Sequence, residues 1–589
     1  MNFVRTFQKR NLLLVLFVVM TAAALLIFRV FYLMVPGSYG LSAAAQELHE
    51  RERVIKAERG KIYDRNGVVL ADNMPVCTIS VIHNQITDAE EVIRVLCKEL
   101  ELSEAYVRKR VEKYSSIETI KTNVDKTIAD AIRAYELDGV MVDEDYRRFY
   151  PYGSLASKVL GFTGSDNQGI LGLEVKYDFW LQGENGKILT MTTAHGMEIP
   201  DMAENLVTPV AGNSIKTSLD VVIQSYAEQI AKKVLEAKSA KSVSILVMNP
   251  QNGEMYAMVN VPEYDLNQPY ELTELYTAGY TEAELTQEKK TELLNQMWRN
   301  SCISDTYEPG SAFKIVTATA AFEHGVLKET DHFYCPGYKI VADRRIRCHK
   351  TQGHGAQSFV EAIMNSCNPA FMEIGARTGI DNLYETFRSL GLFHKTGIDL
   401  PGEASSIMHK AENVGEVELA TVSFGQSFQI TPLQLMTAVS AVVNGGTQIT
   451  PHFVTEIVNN AGVTIKTVDG IGETGVVSEE TSETMKRMLE QVVSEGTGNK
   501  AFVEGFSIGG KTATSEKLPR RSGKYIASFL GFAPAENPSV IAMVIIDEPE
   551  GLYYGGTIAA PVMAELFEVV LPYLGIEPEV ATEPEAENK

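Results

Sequence analysis

The hydrophobic pattern opens with one long apolar block. After a basic start, MNFVRTFQKR, with Arg5, Lys9 and Arg10, positions 12–28 carry no charge, and the apolar stretch continues past Arg29 to Val35. A run of this length spans a bilayer as a helix, and Arg29 reaches the interface through its long side chain. Positive charge ahead of the run predicts a cytoplasmic tail over 1–10, a transmembrane anchor over 11–35 and everything later outside the cytoplasm. A cleaved signal peptide, with LSAAA at 41–45 as its small-residue site, is the competing reading. The apolar core is longer than such peptides carry.

Past the anchor the periods shorten. LSAAAQELHERERV (41–54) reads as a polar helix, and AERGKIYDRNGVVLADN (57–73) as short strands around a hairpin turn at Arg65-Asn66-Gly67. Residues 85–146 set apolar positions at helical spacing among acidic ones. Two stretches rich in glycine and aromatics follow, at 147–164 and 167–187. The texture changes near Asn213, where NSIKTSLDVVIQSYAEQIAKKVLEA reads as a strand and then a helix capped by Ser or Asp. SVSILVMNPQNGEMYAMVNVPEYD is a hairpin across Asn252-Gly253. Near the end, YIASFLGFAP and SVIAMVIIDEP read as strands, the second apolar on both faces and so central in its sheet. These elements predict an α/β (α+β) multidomain chain: a first module over 36–210, a second over 211–576, and an acidic, solvated tail over 577–589.

Composition adds exclusions. The chain has 589 residues, too many for one core, and a net charge of -23. That charge argues against nucleic acid as a partner, because phosphate binding needs a basic face. Six cysteines, Cys77, Cys97, Cys302, Cys335, Cys348 and Cys367, are too few for a disulfide framework at this length.

Three short patterns carry candidate chemistry. In EPGSAFKIVTATAAF (308–322), Lys314 is the lone charge between Ser311 and Phe322. A helix starting near Ser311 places Ser311 and Lys314 on one face, with free N–H groups at its start. A buried ammonium must find partners or lose its proton, and a lysine of lowered pKa activates a serine. The plainer reading is a capping serine with a lysine reaching solvent. In MNSCNPAF, Ser366 and Asn368 form S-x-N before Pro369; the plainer reading is Asn368 as a helix cap with Pro after it. In SIGGKTATSE, Lys511 and Thr512 follow a double glycine on a strand, either an ordinary lysine-guarded edge or an edge open to an extended peptide. In this order the three make S-x-x-K, S-x-N and K-T, with 55 residues from Ser311 to Ser366 and 145 from Ser366 to Lys511. The pattern predicts Lys314 Nζ within hydrogen-bond reach of Ser311 Oγ or Ser366 Oγ.

With these motifs the chain resembles the class B penicillin-binding proteins, peptidoglycan D,D-transpeptidases of the division and sporulation type. ERGKIYDRNGVVLA and GILGLEVKYDFWLQGENG are similar to signatures of the family's first module. TSLDVVIQ, YEPGSAFK, FGQSFQITPLQL and FLGFAPAENPSVIAMVIIDEP are similar to stretches of its transpeptidase domain. The resemblance implies an elongated pedestal or dimerisation module, then a penicillin-binding domain with an antiparallel sheet flanked by helices. It implies Ser311 as nucleophile, Lys314 as base and Ser366 as proton shuttle. Asn368, Lys511, Thr512 and Thr514 would bind substrate, and the backbone N–H groups of Ser311 and Thr514 would form the oxyanion hole. Substrates would be peptidoglycan stem peptides on a lipid-linked precursor, with β-lactams as covalent ligands. A membrane-embedded glycan polymerase and other wall-synthesis proteins would be partners; no cofactor and no metal is needed. A catalytically weak scaffold of the same fold, and a β-lactamase or β-lactam sensor, are the alternatives.

Two positions depart from the family. Ala513 follows Lys511-Thr512 where glycine is usual, so its methyl is expected to crowd the substrate. Ser427 stands in FGQSF where glycine is expected. Near the second box, CPGYKIVADRRIRCHKTQGHG (335–355) leaves three readings open: a Cys348–Cys367 disulfide, a zinc site of Cys335, Cys348, His354 and Cys367, or free thiols.

Overall fold

The computed structural model describes residues 2–34, 50–115, 117–191 and 205–578. The acidic tail expected over 577–589 lies almost wholly outside them. The apolar block is a helix, α1 (Asn2–Met34). Its Lys9–Met34 stretch has a mean hydropathy of 2.7 and is not buried, and among the described residues it is the one helix long and apolar enough to cross a membrane. The helix expected over 41–54 is different where it is described: Glu50–Ile55 is a strand, antiparallel to Gly186–Met191. Pairing with a partner strand overrides a weak helical pattern in a polar segment.

The chain divides into two units. The first comprises Met1–Glu58, Pro75–Arg147 and Glu184–Val210. Its core joins Cys77, Ile79 and Val81 to the apolar faces of the helices Ala89–Leu100 and Glu104–Val111. Asp88 caps the first of these helices by accepting from the Glu91 N–H, and the acidic-apolar spacing is helical as read over Ala89–Leu100, Glu104–Val111 and Lys126–Arg133, but Glu118–Val124 and Val140–Phe149 in the same stretch are strands, where sheet pairing overrides the helical period.

The second unit comprises Arg59–Met74, Arg148–Gly183 and Ala211–Lys589. The chain's last crossing falls at 210/211, but two earlier segments, expected in the first module, belong here. A buried ionic knot ties them together. Arg59 donates to Glu174 (2.7 Å) and Asp178 (2.7 Å) and to the carbonyls of Asn167 and Glu174, while Arg148 Nε donates to the other Glu174 oxygen at 2.6 Å. The two signature stretches meet in this network, Arg59 from one and Glu174 and Asp178 from the other, and are therefore structural partners.

The core of the second unit is a five-stranded antiparallel sheet in the order β2-β1-β5-β4-β3, with β1 Ser242–Met248, β2 Met255–Val261, β3 Gly509–Glu516, β4 Tyr525–Ala533 and β5 Val540–Asp547. The doubly apolar β5 is central and β3 is an edge. One face packs on α2 (Val221–Ala237), capped by Asp220, and on the helix Ala560–Tyr573. The other packs on a larger helical cluster containing α3 (Lys314–Glu323) and α4 (Asn368–Ser389).

Candidate active site

The three patterns converge. Gly310–Phe313 forms one 3-10 turn that runs into α3, so Ser311 and Lys314 lie one turn apart at the helix start. The preceding loop is held tightly. Gly310 N–H donates to the Gly425 carbonyl at 2.9 Å, and a Cβ on Gly425 would lie 2.0 Å from the Gly310 oxygen. Glu308, a buried carboxylate to which the sequence reading gives no role, accepts from the Ser427 N–H at 3.0 Å, and its carbonyl accepts from Ser515 at 2.6 Å. Ser427 has φ 69°, which explains why glycine is expected there.

Lys314 is fully buried yet does not reach solvent for a partner. Its Nζ donates to the Ser366 carbonyl at 2.7 Å, to Ser366 Oγ at 3.2 Å and to Asn368 Oδ1 at 2.7 Å, and it lies 5.4 Å from the Phe371 ring centroid. Burial pushes the ammonium down to about 8, against the opposing pull of the Cys348 and Cys367 sulfurs. The expected contact is thus made to Ser366. Among the described residues nothing hydrogen-bonds the Ser311 hydroxyl, which is half-buried and open to a substrate.

Asn368 is not the helix cap. Cys367 is the cap residue of α4, Asn368 is the first helical residue, and its side-chain oxygen is taken by Lys314. Ser366 has φ 51°, a left-handed conformation rare for a residue with a Cβ and found where surroundings impose it.

Lys511 is also fully buried, with Nζ 3.3 Å from the Thr512 carbonyl. Burial, and then the nearby Lys314 charge, push it well below its ordinary value. Side chains alternate along β3, so Lys511 and Ala513 share one face and Thr512 and Thr514 the other. Thr512 approaches Thr497 at 3.5 Å, and Thr514 Oγ1 accepts from Gly555 N–H at 3.0 Å. The Thr514 carbonyl would lie 3.2 Å from a Cβ on Gly310, so β3 runs beside the serine loop. Ala513 is buried within the helical-side core, on the face away from the threonine hydroxyls. Ala513→Gly is therefore expected to leave penicillin acylation within about threefold while lowering stability by about 0.5–1 kcal/mol, the usual cost of glycine in a strand. Acylation kinetics and urea denaturation on the same preparation check both halves.

All six cysteines are thiols here, Cys348 and Cys367 included. The hydrogen bond from Cys367 pulls the Cys348 thiol far down, against burial and with help from His349 and the backbone N–H groups of Lys350 and Asn368.

Comparison with known proteins follows the same lines. A model described as Penicillin binding protein transpeptidase domain matches residues 243–568, and one described as Penicillin-binding Protein dimerisation domain matches residues 54–217. Stage V sporulation protein D of Bacillus subtilis (strain 168) is 40% identical over 549 residues, 91% of this chain and 82% of that protein. Probable peptidoglycan D,D-transpeptidase PenA of Neisseria meningitidis serogroup A is 28% identical, over 90% of this chain and 86% of that one. The crystal structure of a peptidoglycan synthetase from Bifidobacterium adolescentis shares the fold, with a TM-score of 0.72 at 21% identity over 91% of this chain and 98% of that one. The chain belongs to the penicillin-binding proteins that join a dimerisation domain to a transpeptidase domain. Within them it is of class B, the division and sporulation type.

Proposed function

We propose that this chain is a membrane-anchored peptidoglycan D,D-transpeptidase acting through an acyl-enzyme on Ser311, and that β-lactams acylate the same residue. The carrying observation is the buried Lys314 amine, bound at once to Ser366 and Asn368 one turn from a free serine hydroxyl. With its pKa lowered, Lys314 takes the Ser311 proton as Oγ attacks the carbonyl of the penultimate D-alanine. The N–H groups of Ser311 and Thr514 hold the oxyanion. Ser366 Oγ passes a proton to the departing D-alanine amine and regains one from Lys314. Asn368 holds the acyl side, and Lys511, Thr512 and Thr514 hold the terminal carboxylate. An amine of a second stem peptide then attacks the ester, forms the crosslinking amide and returns the proton to Ser311.

The same reading puts residues 1–10 in the cytoplasm, 11–35 in the membrane and 211–576 outside, with 36–210 as the module that meets a membrane-embedded glycan polymerase. The basic residues before the apolar run support that orientation.

Labelled penicillin incubated with the full chain in detergent, followed by peptide mapping, tests the function. Label is expected on Ser311 and is expected to vanish in Ser311→Ala. Label on another residue, or undiminished labelling of the variant, rejects the proposal. Release of D-alanine from a lipid-linked precursor separates an active enzyme from a scaffold that merely binds.

A further inference from the structure

Four side chains beside the second box gather where the sequence spacing sets them apart. Cys335, Cys348, His354 and Cys367 bring one ligand atom each to within 4.8 Å of one another. They come from separate elements: the end of the strand His332–Cys335, the turn after Arg344–Arg347, the turn before Gly355–Ser358, and the start of α4. Pairing of Cys335 with Gly355 and the bond from Cys348 N–H to the Gly337 carbonyl (2.8 Å) bring the first three together. Gly353 and Gly337 let the backbones cross; a Cβ on either would lie 2.3 Å from the Cys335 oxygen or 2.1 Å from the Thr351 oxygen. The three sulfurs are buried and His354 is half-buried.

We propose that these four residues bind one zinc ion, tetrahedrally, as a structural clamp on the Ser366-Cys367-Asn368 box. Zinc with sulfur at about 2.3 Å and nitrogen at about 2.0 Å needs ligand atoms roughly 3.5–3.8 Å apart. Cys348 Sγ already lies 3.8 Å from His354 Nδ1. Three thiolates and an imidazole suit zinc, whereas magnesium and calcium take oxygen donors. A disulfide would use two of the four residues and give no reason for the convergence of Cys335 and His354. The clamp has a visible task. Cys367 separates the two residues that Lys314 binds, and Ser366 keeps a left-handed backbone that a side chain disfavours. A metal bond at Cys367 fixes that backbone between the two residues that Lys314 holds. The metal site stands on its own geometry; its effect on acylation rests on the function proposed above.

Full chain purified in detergent under reducing conditions, without added metal, is expected to carry about one zinc per chain, as structural sites of this donor set do. A thiol-directed mercurial should release it, and cobalt(II) replacing it should show thiolate-to-cobalt absorption of a tetrahedral site. Cys335→Ser and His354→Ala should lose zinc, and Cys97→Ser in the first unit should keep it. Removing zinc with a chelator should slow penicillin labelling of Ser311 by tenfold or more, on the order of effects from loosening metal-site surroundings, with recovery on adding zinc but not magnesium. Reduced, folded protein that neither holds nor takes up zinc overturns the proposal, as does full zinc content in Cys335→Ser, or a Cys348–Cys367 disulfide in chain isolated under reducing conditions. Zinc without labelling would refute the transpeptidase reading and leave the metal site intact; labelling without zinc would do the reverse.

Discussion

Replacing Lys314 by methionine is expected to slow acylation of Ser311 by labelled penicillin by about 10²–10⁴-fold, the range a positioned base contributes. Methionine keeps most of the volume in a site that is fully buried against Phe371. What it removes is a donor to three acceptors, the Ser366 carbonyl and hydroxyl and the Asn368 side chain, along with the proton acceptor for Ser311. Those orphaned acceptors cost stability as well, at about 1–3 kcal/mol for a buried polar group left unpaired. Thermal unfolding of the same sample separates the two effects. A folded Lys314→Met chain that acylates at the parent rate would remove lysine from the mechanism.

The second large effect lies far from the chemistry. Glu174→Ala is expected to lower the stability of the second unit by about 3–5 kcal/mol, the cost of stripping one partner from a buried ion pair. Set against a total of about 5–15 kcal/mol for a typical native protein, this is a large share. Glu174 faces two arginines at once, Arg59 and Arg148, and the terminal nitrogens of Arg148 have no hydrogen-bond partner among the described residues. Burial pushes the Glu174 carboxyl up, but the charges and hydrogen bonds of Arg148 and Arg59 outweigh it and hold it below its ordinary value. A depressed carboxyl contributes its stability above its ordinary range and loses it as acid protonates the folded form. The gap between parent and variant is therefore full at neutral pH and closes as the pH falls below the carboxylate range. Urea midpoints across that pH range show whether it does; a constant gap would mean that lost packing, not charge, sets the effect.

Much of this was readable from local pattern. The apolar block, the two Asn-Gly-type hairpins and the central position of β5 follow from hydrophobic period and turn residues, which act over a few neighbours. Lys314 was legible because a lone ammonium in an apolar helix has to find partners. What escaped depends on contacts between distant segments. Nothing in ERG or GLEVKYD announces that Arg59 and Glu174 meet, or that their segments cluster by contact with the later part of the chain. The Ala513 methyl is expected against the substrate when the box is read as a string; strand alternation places it on the face of Lys511, away from the threonine hydroxyls and within the helical-side core. The sulfur and imidazole groups near Cys367 were spaced too widely to select among three readings, and only the crossing of backbones at Gly337 and Gly353 gathers them.

The strand order has a consequence for how the chain is made. β5, at the centre of the sheet, is the last of the five strands to be synthesised, and β1, already paired with β2, waits beside its empty place for nearly 300 residues. Neither β1 nor β4 can pair its second edge until residues 540–547 arrive. The catalytic unit therefore spends most of its emergence with open strand edges and long loops unclosed, the condition that slows folding and invites misassociation. The first unit has a shorter wait, because the residues of its core, 77–132, are nearly contiguous. Assembly should thus proceed in two stages, with a compact early unit in place while the catalytic sheet depends on its final strand and on whatever shields it meanwhile.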